Sequence, residues 1–411
     1  MTGVYKLQNT VKHYAWGSPE WIPALLGTDN PEAEPWAELW MGIHSEGPSL
    51  AITGTDGRDP GKTVKTIPLS EVATIPFLLK FLAAGSPLSI QAHPNMEQAR
   101  EGFERENKAN IARNAPERNY KDPSHKPEIL CALTPFTAMA GFRESAETKR
   151  LLSLVTGTEK LRTALGDGYQ PFLSTLFGLT EAERKALNRA VLAAAAAAAA
   201  GATAGAAAAA GASAKNPDTA VLTLCGEFAA AYPNDPGIIS PLYLNVIELR
   251  PFQAIFVPAG ILHAYVHGFA MECMANSDNV LRGGLTPKHI DLPELFSILR
   301  FEPFKPELLQ AAEVSPNCYC YKTSCGEFSL YRCGGTAESS SKTELAVPGE
   351  AIIALYEGSA AVCITDNGGQ TKNTVRLYQG ESAFVGRREP GETLVFLPAG
   401  NCTLFAALKP E

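Results

Sequence analysis

Gln91 and His93 stand two residues apart in a stretch where Leu88, Ile90 and Ala92 alternate with Ser89, Gln91 and His93. In extended backbone that period of two sends the three polar side chains to one face and the apolar ones to the other. Lys126 and Glu128 repeat the same spacing, and Pro127 biases Lys126 toward the β region. His263 closes a third pattern, an apolar run followed by a Pro-Ala-Gly turn. Each pattern alone has an ordinary structural explanation: a satisfied polar strand face, an exposed turn, a hydrogen-bonded core histidine. Their joint occurrence changes the reading. Gln91, His93, Glu128 and His263 together offer one amide, two imidazoles and a single carboxylate charge. Zinc accepts such N and O donors at about 2.0–2.2 Å, whereas magnesium prefers shells of oxygen. A catalytic ion is expected, since structural zinc usually takes closed, cysteine-rich shells.

Downstream, Glu272, Arg282 and Lys288 surround Gly283 and Gly284. Arg282 lies just before the two glycines, where backbone can approach a ligand closely. Lys80 sits in the short apolar run 77–81, where a charge needs a reason.

Three kinds of segment must position these residues. Up to about residue 133 there are short runs of β-formers broken by Gly and Pro, as at 38–42 and 88–93. From about 137 to 231 the pattern is helical, rich in Ala, Leu, Glu and Lys. Within it residues 193–214 are almost entirely Ala, interrupted by Gly201, Gly205 and Gly211, and are read as a low-complexity surface extension. From Leu242 onward strand patterns return, and the segment Phe256-Val-Pro-Ala-Gly-Ile-Leu-His263 lines up with Phe396-Leu-Pro-Ala-Gly-Asn-Cys-Thr403. Two copies of one β-unit are implied, of the kind small antiparallel cupin-type barrels use. The expected fold is therefore mainly β with a helical insertion domain, built on cupin-like barrels of jelly-roll type. Residues 1–135 and 236–305 are assigned to a discontinuous metal-bearing barrel, 136–235 to the helical insertion, and 306–411 to a C-terminal barrel. With Thr403 where the first copy has His263, the second barrel is expected to be metal-free.

The bulk composition narrows the class of function. At 411 residues the chain is long enough for two or three domains, and 45% hydrophobic with 19% charged residues is typical of a globular protein. A net charge of −8 argues against nucleic acid, which needs clustered Lys and Arg, but leaves room for a small anion in a locally basic pocket. The nine cysteines are scattered and contain no CxxC pair, so they are read as reduced, buried small hydrophobes. The N-terminus lacks the apolar core of a signal peptide, and the Ala run 190–200 is too short to span a bilayer. A cytoplasmic protein with no membrane partner is expected. An iron-dependent cupin oxygenase would carry a metal shell richer in His than the seven histidines here provide.

At this point the residues resemble a known family, the type I phosphomannose isomerases. The matching stretches are Tyr14-Ala-Trp-Gly17, Ala37-Glu-Leu-Trp-Met-Gly42, residues 88–95, 125–128, 257–266 and 272–288. The resemblance implies a zinc enzyme, one Zn2+ per chain, that interconverts mannose 6-phosphate and fructose 6-phosphate through an enediol(ate), feeds mannose activation for GDP-mannose synthesis, and works as a monomer. Carried over by motif, Gln91, His93, Glu128 and His263 are the zinc ligands and Arg282 matches a catalytic position. Met96 stands where the family commonly has a lysine, and the last hundred residues match loosely.

Aldose–ketose isomerisation removes a weakly acidic C–H beside a carbonyl, and negative charge develops on oxygen. Arg282 is expected to stabilise that oxyanion or help relay the proton. An arginine is a poor base because its pKa exceeds about 12. The base is left among Glu272, Lys126 and a metal-bound water. Ser89, Lys80, Lys126 and Lys288 are the candidates for binding the substrate phosphate.

Overall fold

Strand His263–Ala275 organises the molecule. Its 13 residues are buried at all but one position, so it reads as a nearly continuous apolar run, as a strand covered on both faces should. It pairs antiparallel with Phe77–Ala84, Glu128–Ala132, Phe136–Phe142 and Gln91–Ala92, at the centre of a ten-stranded sheet. The computed structural model describes residues 2–53, 64–208, 216–335, 342–345 and 349–409.

Alternation along these strands decides where the charges go. Leu39, Met41, Leu79, Phe81, Ile129, Cys131, Met271 and Cys273 share one face and one apolar cluster. The opposite face carries Leu82, Leu130 and Ala270, and with them Glu38, Lys80, Glu128 and Glu272, two residues along their strands. The register sets Glu272 directly opposite Lys80 and Trp40 opposite Lys80 on the other side. The charges in these apolar runs are thus placed by the strand period on one cavity-facing surface.

The helices Ser145–Leu152, Glu159–Ala164, Tyr169–Phe177, Glu181–Ala208 and Pro217–Ala231 build their own apolar cluster, which takes in Ile90, Ala92, Leu262 and Leu285 from beneath the sheet. The helical segment is narrower than the sequence pattern suggests. Phe136–Phe142 and Leu244–Leu249 are strands that pair with each other, so the chain enters and leaves the helices through the ten-stranded sheet. The Ala run continues the helix to Ala208, and the remainder of the expected extension, 209–214, lies outside the described residues.

The expected division at residue 306 is crossed by both pairing and packing. Val4–Gln8 pairs with Ser382–Val385 and with Leu50–Ile52, so three N-terminal strands complete a nine-stranded sheet made largely from the C-terminal third. Leu7, Phe81 and Met271 share one cluster with Tyr321, Phe384 and Phe405. Burying these apolar faces against each other outweighs any separation along the chain. Among the described residues the ladders form three sheets of nine, ten and four strands rather than two closed barrels.

The repeat takes the same local form in both copies. Ala254–Val257 turns through Gly260 into His263–Ala275, and Thr393–Pro398 turns through Gly400 into Cys402–Leu408. Both glycines adopt left-handed φ, 79° and 83°, a conformation that disfavours a side chain. The reading of all cysteines as reduced needs correction: Cys318 and Cys333 lie directly opposite each other on paired strands and are joined by a disulfide. Cys131, Cys225, Cys273, Cys320, Cys363 and Cys402 are free and buried.

Candidate active site

His93, Glu128 and His263 converge at the edge of this surface, with relative exposures of 2%, 1% and 0%. Only Gln91–Ala92 is regular strand in the 88–93 stretch, yet the predicted sidedness holds: Ile90 and Ala92 are in the core, and Ser89 and Gln91 line the cavity. Gln91 is paired with His263 on one side and Arg282 on the other. Gly260 of the Pro-Ala-Gly turn donates its N–H to the His93 carbonyl at 2.9 Å, which ties the two histidine-bearing segments together.

Each imidazole is oriented from behind. His93 Nδ1 lies 2.7 Å from the Asn279 carbonyl and His263 Nδ1 lies 2.9 Å from the Ile261 carbonyl. A carbonyl oxygen only accepts, so both Nδ1 atoms carry the proton and both Nε2 atoms present lone pairs. Those lone pairs face Glu128: His93 Nε2 is 3.3 Å from Oε1 and His263 Nε2 is 3.3 Å from Oε2. Neither Nε2 makes a hydrogen bond, although both are fully buried. Acceptors aimed at acceptors in a dry site are costly unless a cation lies among them. The three donor atoms, within 4.8 Å of one another, fit a metal ion.

Burial, reinforced by the nearby Lys126 ammonium, holds the His93 pKa down at about 4. The ring is therefore neutral and available as a ligand at neutral pH. Burial alone would raise the Glu128 carboxyl, but Lys126 and His93 outweigh it and hold it well below the ordinary range. Both shifts have the same consequence for the metal-free protein. Between about pH 4 and 6.5 the unfolded chain binds a proton at His93 that the folded chain does not, so stability rises with pH across that window. Glu128 acts in the same sense, its contribution being present above the ordinary carboxylate range and lost on acidification. Melting temperatures of chelator-treated protein should climb from pH 4 to 6.5, with a flatter climb in His93→Gln; equal slopes in the two proteins would exclude His93 as the source.

The cluster opens onto a cavity of about 480 Å³, whose lining includes five cations, Lys80, Lys121, Lys126, Arg282 and Lys288, and four carboxylates, Glu38, Glu128, Glu272 and Asp278. Against a chain charge of −8 this is the locally basic pocket expected for a small anion. The cations separate into two groups. Lys126 contacts Glu128 Oε1, and Lys80 lies between Glu272 and Glu38, 3.0 Å from the latter. With both carboxylates engaged, Lys80 is poorly placed to serve as the phosphate-binding lysine expected from sequence. Ser89 instead accepts a hydrogen bond from Arg282 at 3.0 Å. Burial lowers the Lys288 pKa, and the positive charges of Arg282 and Lys121 lower it further, which marks these three as one cationic end.

Lys121 and Asn279 were not singled out by sequence reasoning. Lys121 lies in no recognisable motif; Asn279 lies inside the 272–288 stretch but looks like an ordinary loop residue. It is fully buried, and its side chain accepts from the Lys121 N–H at 2.7 Å and donates to the Asp122 and Ser124 carbonyls at 2.7 and 2.8 Å, while its own carbonyl holds His93. One residue thus fixes both an imidazole and the segment leading to Lys126 and Glu128. Asn279→Ala is expected to weaken zinc binding about 10–100-fold, the usual effect of losing an outer partner of a metal ligand. Chelator competition checks this, and wild-type affinity would show that the side chain has no such role.

The Gly-Gly pair also has a different function from the one expected. Gly284, at φ 128°, approaches the backbone of Gly237, where an added Cβ would lie 3.0 Å from the Gly237 Cα. The glycines allow protein to meet protein at this point, and Arg282 reaches the cavity from the strand before them.

The fold and cavity define a cupin-like β protein built around an enclosed cluster able to hold a cation. Residues 4–145 match the family model described as phosphomannose isomerase type I, catalytic domain. The chain is 38% identical to mannose-6-phosphate isomerase of Escherichia coli, over 95% of this chain and 96% of that one, and 30% identical to the human mannose-6-phosphate isomerase, over 94% of each. A crystal structure of mannose 6-phosphate isomerase from Salmonella typhimurium bound to fructose 6-phosphate and zinc superposes with a TM-score of 0.81 at 32% identity, covering 100% of both chains. The chain belongs to the type I phosphomannose isomerase family.

Proposed function

We propose that the chain is a zinc-dependent aldose–ketose isomerase that interconverts mannose 6-phosphate and fructose 6-phosphate. The observation that carries this reading is the pair of unpartnered, buried imidazole Nε2 atoms facing Glu128 at one end of a cavity whose other end is cationic. The relatives named above and the structure bound to zinc and fructose 6-phosphate support it.

Gln91, His93, Glu128 and His263 would hold the ion. Bound there, zinc supplies Lewis-acid polarisation of a substrate oxygen. Glu272 is the best-placed base. Burial holds its carboxyl above the ordinary range even beside Lys80, so it can take the proton from one sugar carbon and return it to the next. Lys126, a candidate base on sequence grounds, donates to Glu128 and serves here as a fixed positive charge. Arg282, Lys288 and Lys121 meet the phosphate or the developing oxyanion, with Ser89 steering the Arg282 guanidinium. All of these groups come from a single chain, which supports a monomer, and we take the enzyme to be cytoplasmic. Among the described residues no helix is long and apolar enough to cross a membrane.

A coupled assay on mannose 6-phosphate, with metal analysis of the same sample, tests the proposal directly. Formation of fructose 6-phosphate by protein carrying close to one zinc per chain is the expected result; no turnover by zinc-loaded protein would overturn it.

A further inference from the structure

The loop after Arg282 is held from two sides. On the sheet side, Gly283 donates to the Ile90 carbonyl at 2.7 Å and Ile90 donates to the Gly284 carbonyl at 3.0 Å. On the helical side a single carboxylate does the work. Asp235 Oδ1 accepts from the Gly237 N–H at 2.6 Å and the Leu285 N–H at 3.0 Å, and Oδ2 faces the Thr286 N–H at 3.4 Å. Thr286 passes the constraint on, since its hydroxyl accepts from the Lys288 N–H at 3.1 Å. Asp235 therefore reaches the cationic end of the cavity through Thr286 and Lys288, although it is absent from the cavity lining itself.

We propose that Asp235 is a positioning residue for the substrate phosphate: it pins the 284–288 loop to the end of the helical segment and so sets where Lys288 stands. The inference rests on the sugar-phosphate reading above. Its effect belongs to binding. The metal cluster and Glu272 are held by other contacts, from Asn279, Ile261 and Lys80. The carboxylate acts as an acceptor of N–H groups, and its oxygens satisfy loop amides that would otherwise be left without a partner.

The test compares three variants with wild type in the zinc-loaded protein. Asp235→Ala is expected to raise KM for mannose 6-phosphate about 10-fold, the scale of losing one or two such hydrogen bonds, with kcat within about threefold and zinc content unchanged. Asp235→Asn keeps an oxygen for Gly237 and Leu285, and its KM should stay within about threefold of wild type. Gly284→Ala leaves Asp235 intact but puts a Cβ 3.1 Å from its Oδ1 at a φ of 128°, and should reproduce the raised KM. Wild-type KM in Asp235→Ala overturns the proposal, and so does a loss of kcat and zinc in step with KM. Should Asp235→Ala fail to fold, Gly284→Ala decides, and an unchanged KM there overturns it. If wild type does not turn over mannose 6-phosphate, the functional reading fails by itself. Titration with inorganic phosphate then tests the loop alone: weaker binding to Asp235→Ala than to wild type upholds it, and equal binding removes it.

Discussion

Chelation of the metal is expected to abolish interconversion, and added zinc to restore it. The basis is the cluster of His93, Glu128 and His263, in which neutral imidazole lone pairs and a carboxylate converge in a site closed to water. Without the ion, nothing at that end of the cavity offsets the negative charge that develops on the substrate oxygen. Lys126 is already committed to Glu128, and Lys80 to Glu38 and Glu272. Lewis-acid stabilisation contributes several kcal/mol, so at 1.36 kcal/mol per factor of ten the loss should be about 10³-fold or more. Glu128→Gln should behave as the chelated enzyme does, because it preserves shape while removing the only carboxylate of the cluster, and added zinc should not rescue it at concentrations that saturate wild type. Full turnover in metal-free protein would sink the zinc role.

Arg282→Ala carries the second large effect. Its guanidinium is mostly buried, hydrogen-bonded to Ser89 and cross-strand from Gln91, so it lies between the metal cluster and the cationic end. Removing one preorganised donor of this kind typically costs about 10²–10³ in turnover. Zinc affinity should change little, since no atom of Arg282 belongs to the cluster. Arg282→Lys should recover only part of the loss, because an ammonium cannot reproduce the planar fork held by Ser89. Turnover close to wild type in Arg282→Ala would take the residue out of the mechanism.

The ligand set could be read from sequence because strand alternation and the Pro-Ala-Gly turn are local patterns, and the residues they display proved to be neighbours in space. Glu272 and Lys80 were noticeable as charges in apolar runs, but their pairing depends on register between strands nearly two hundred positions apart, which no local pattern encodes. Asn279 and Asp235 act through backbone groups of distant loops, and nothing in their flanking residues announces it. The boundary drawn at 306 followed sequence order, whereas the first strand belongs with the last sheet. The cysteine pair escaped notice for the same reason, since facing positions on a hairpin become visible only once the pairing of Cys318–Tyr321 with Ser329–Gly335 is known.

That first strand has a consequence for how the protein is made. Val4 pairs with Val385, so a chain emerging from the ribosome must keep Val4–Gln8 and Leu50–Ile52 without their central partner until nearly all of it has been synthesised. Such long-range closure is slow, and an unpaired strand edge can join another chain in the meantime. The catalytic sheet could be complete well before the nine-stranded sheet closes over its apolar face, which makes the last thirty residues the step that commits the molecule to its folded state and the interval before them the one in which aggregation competes.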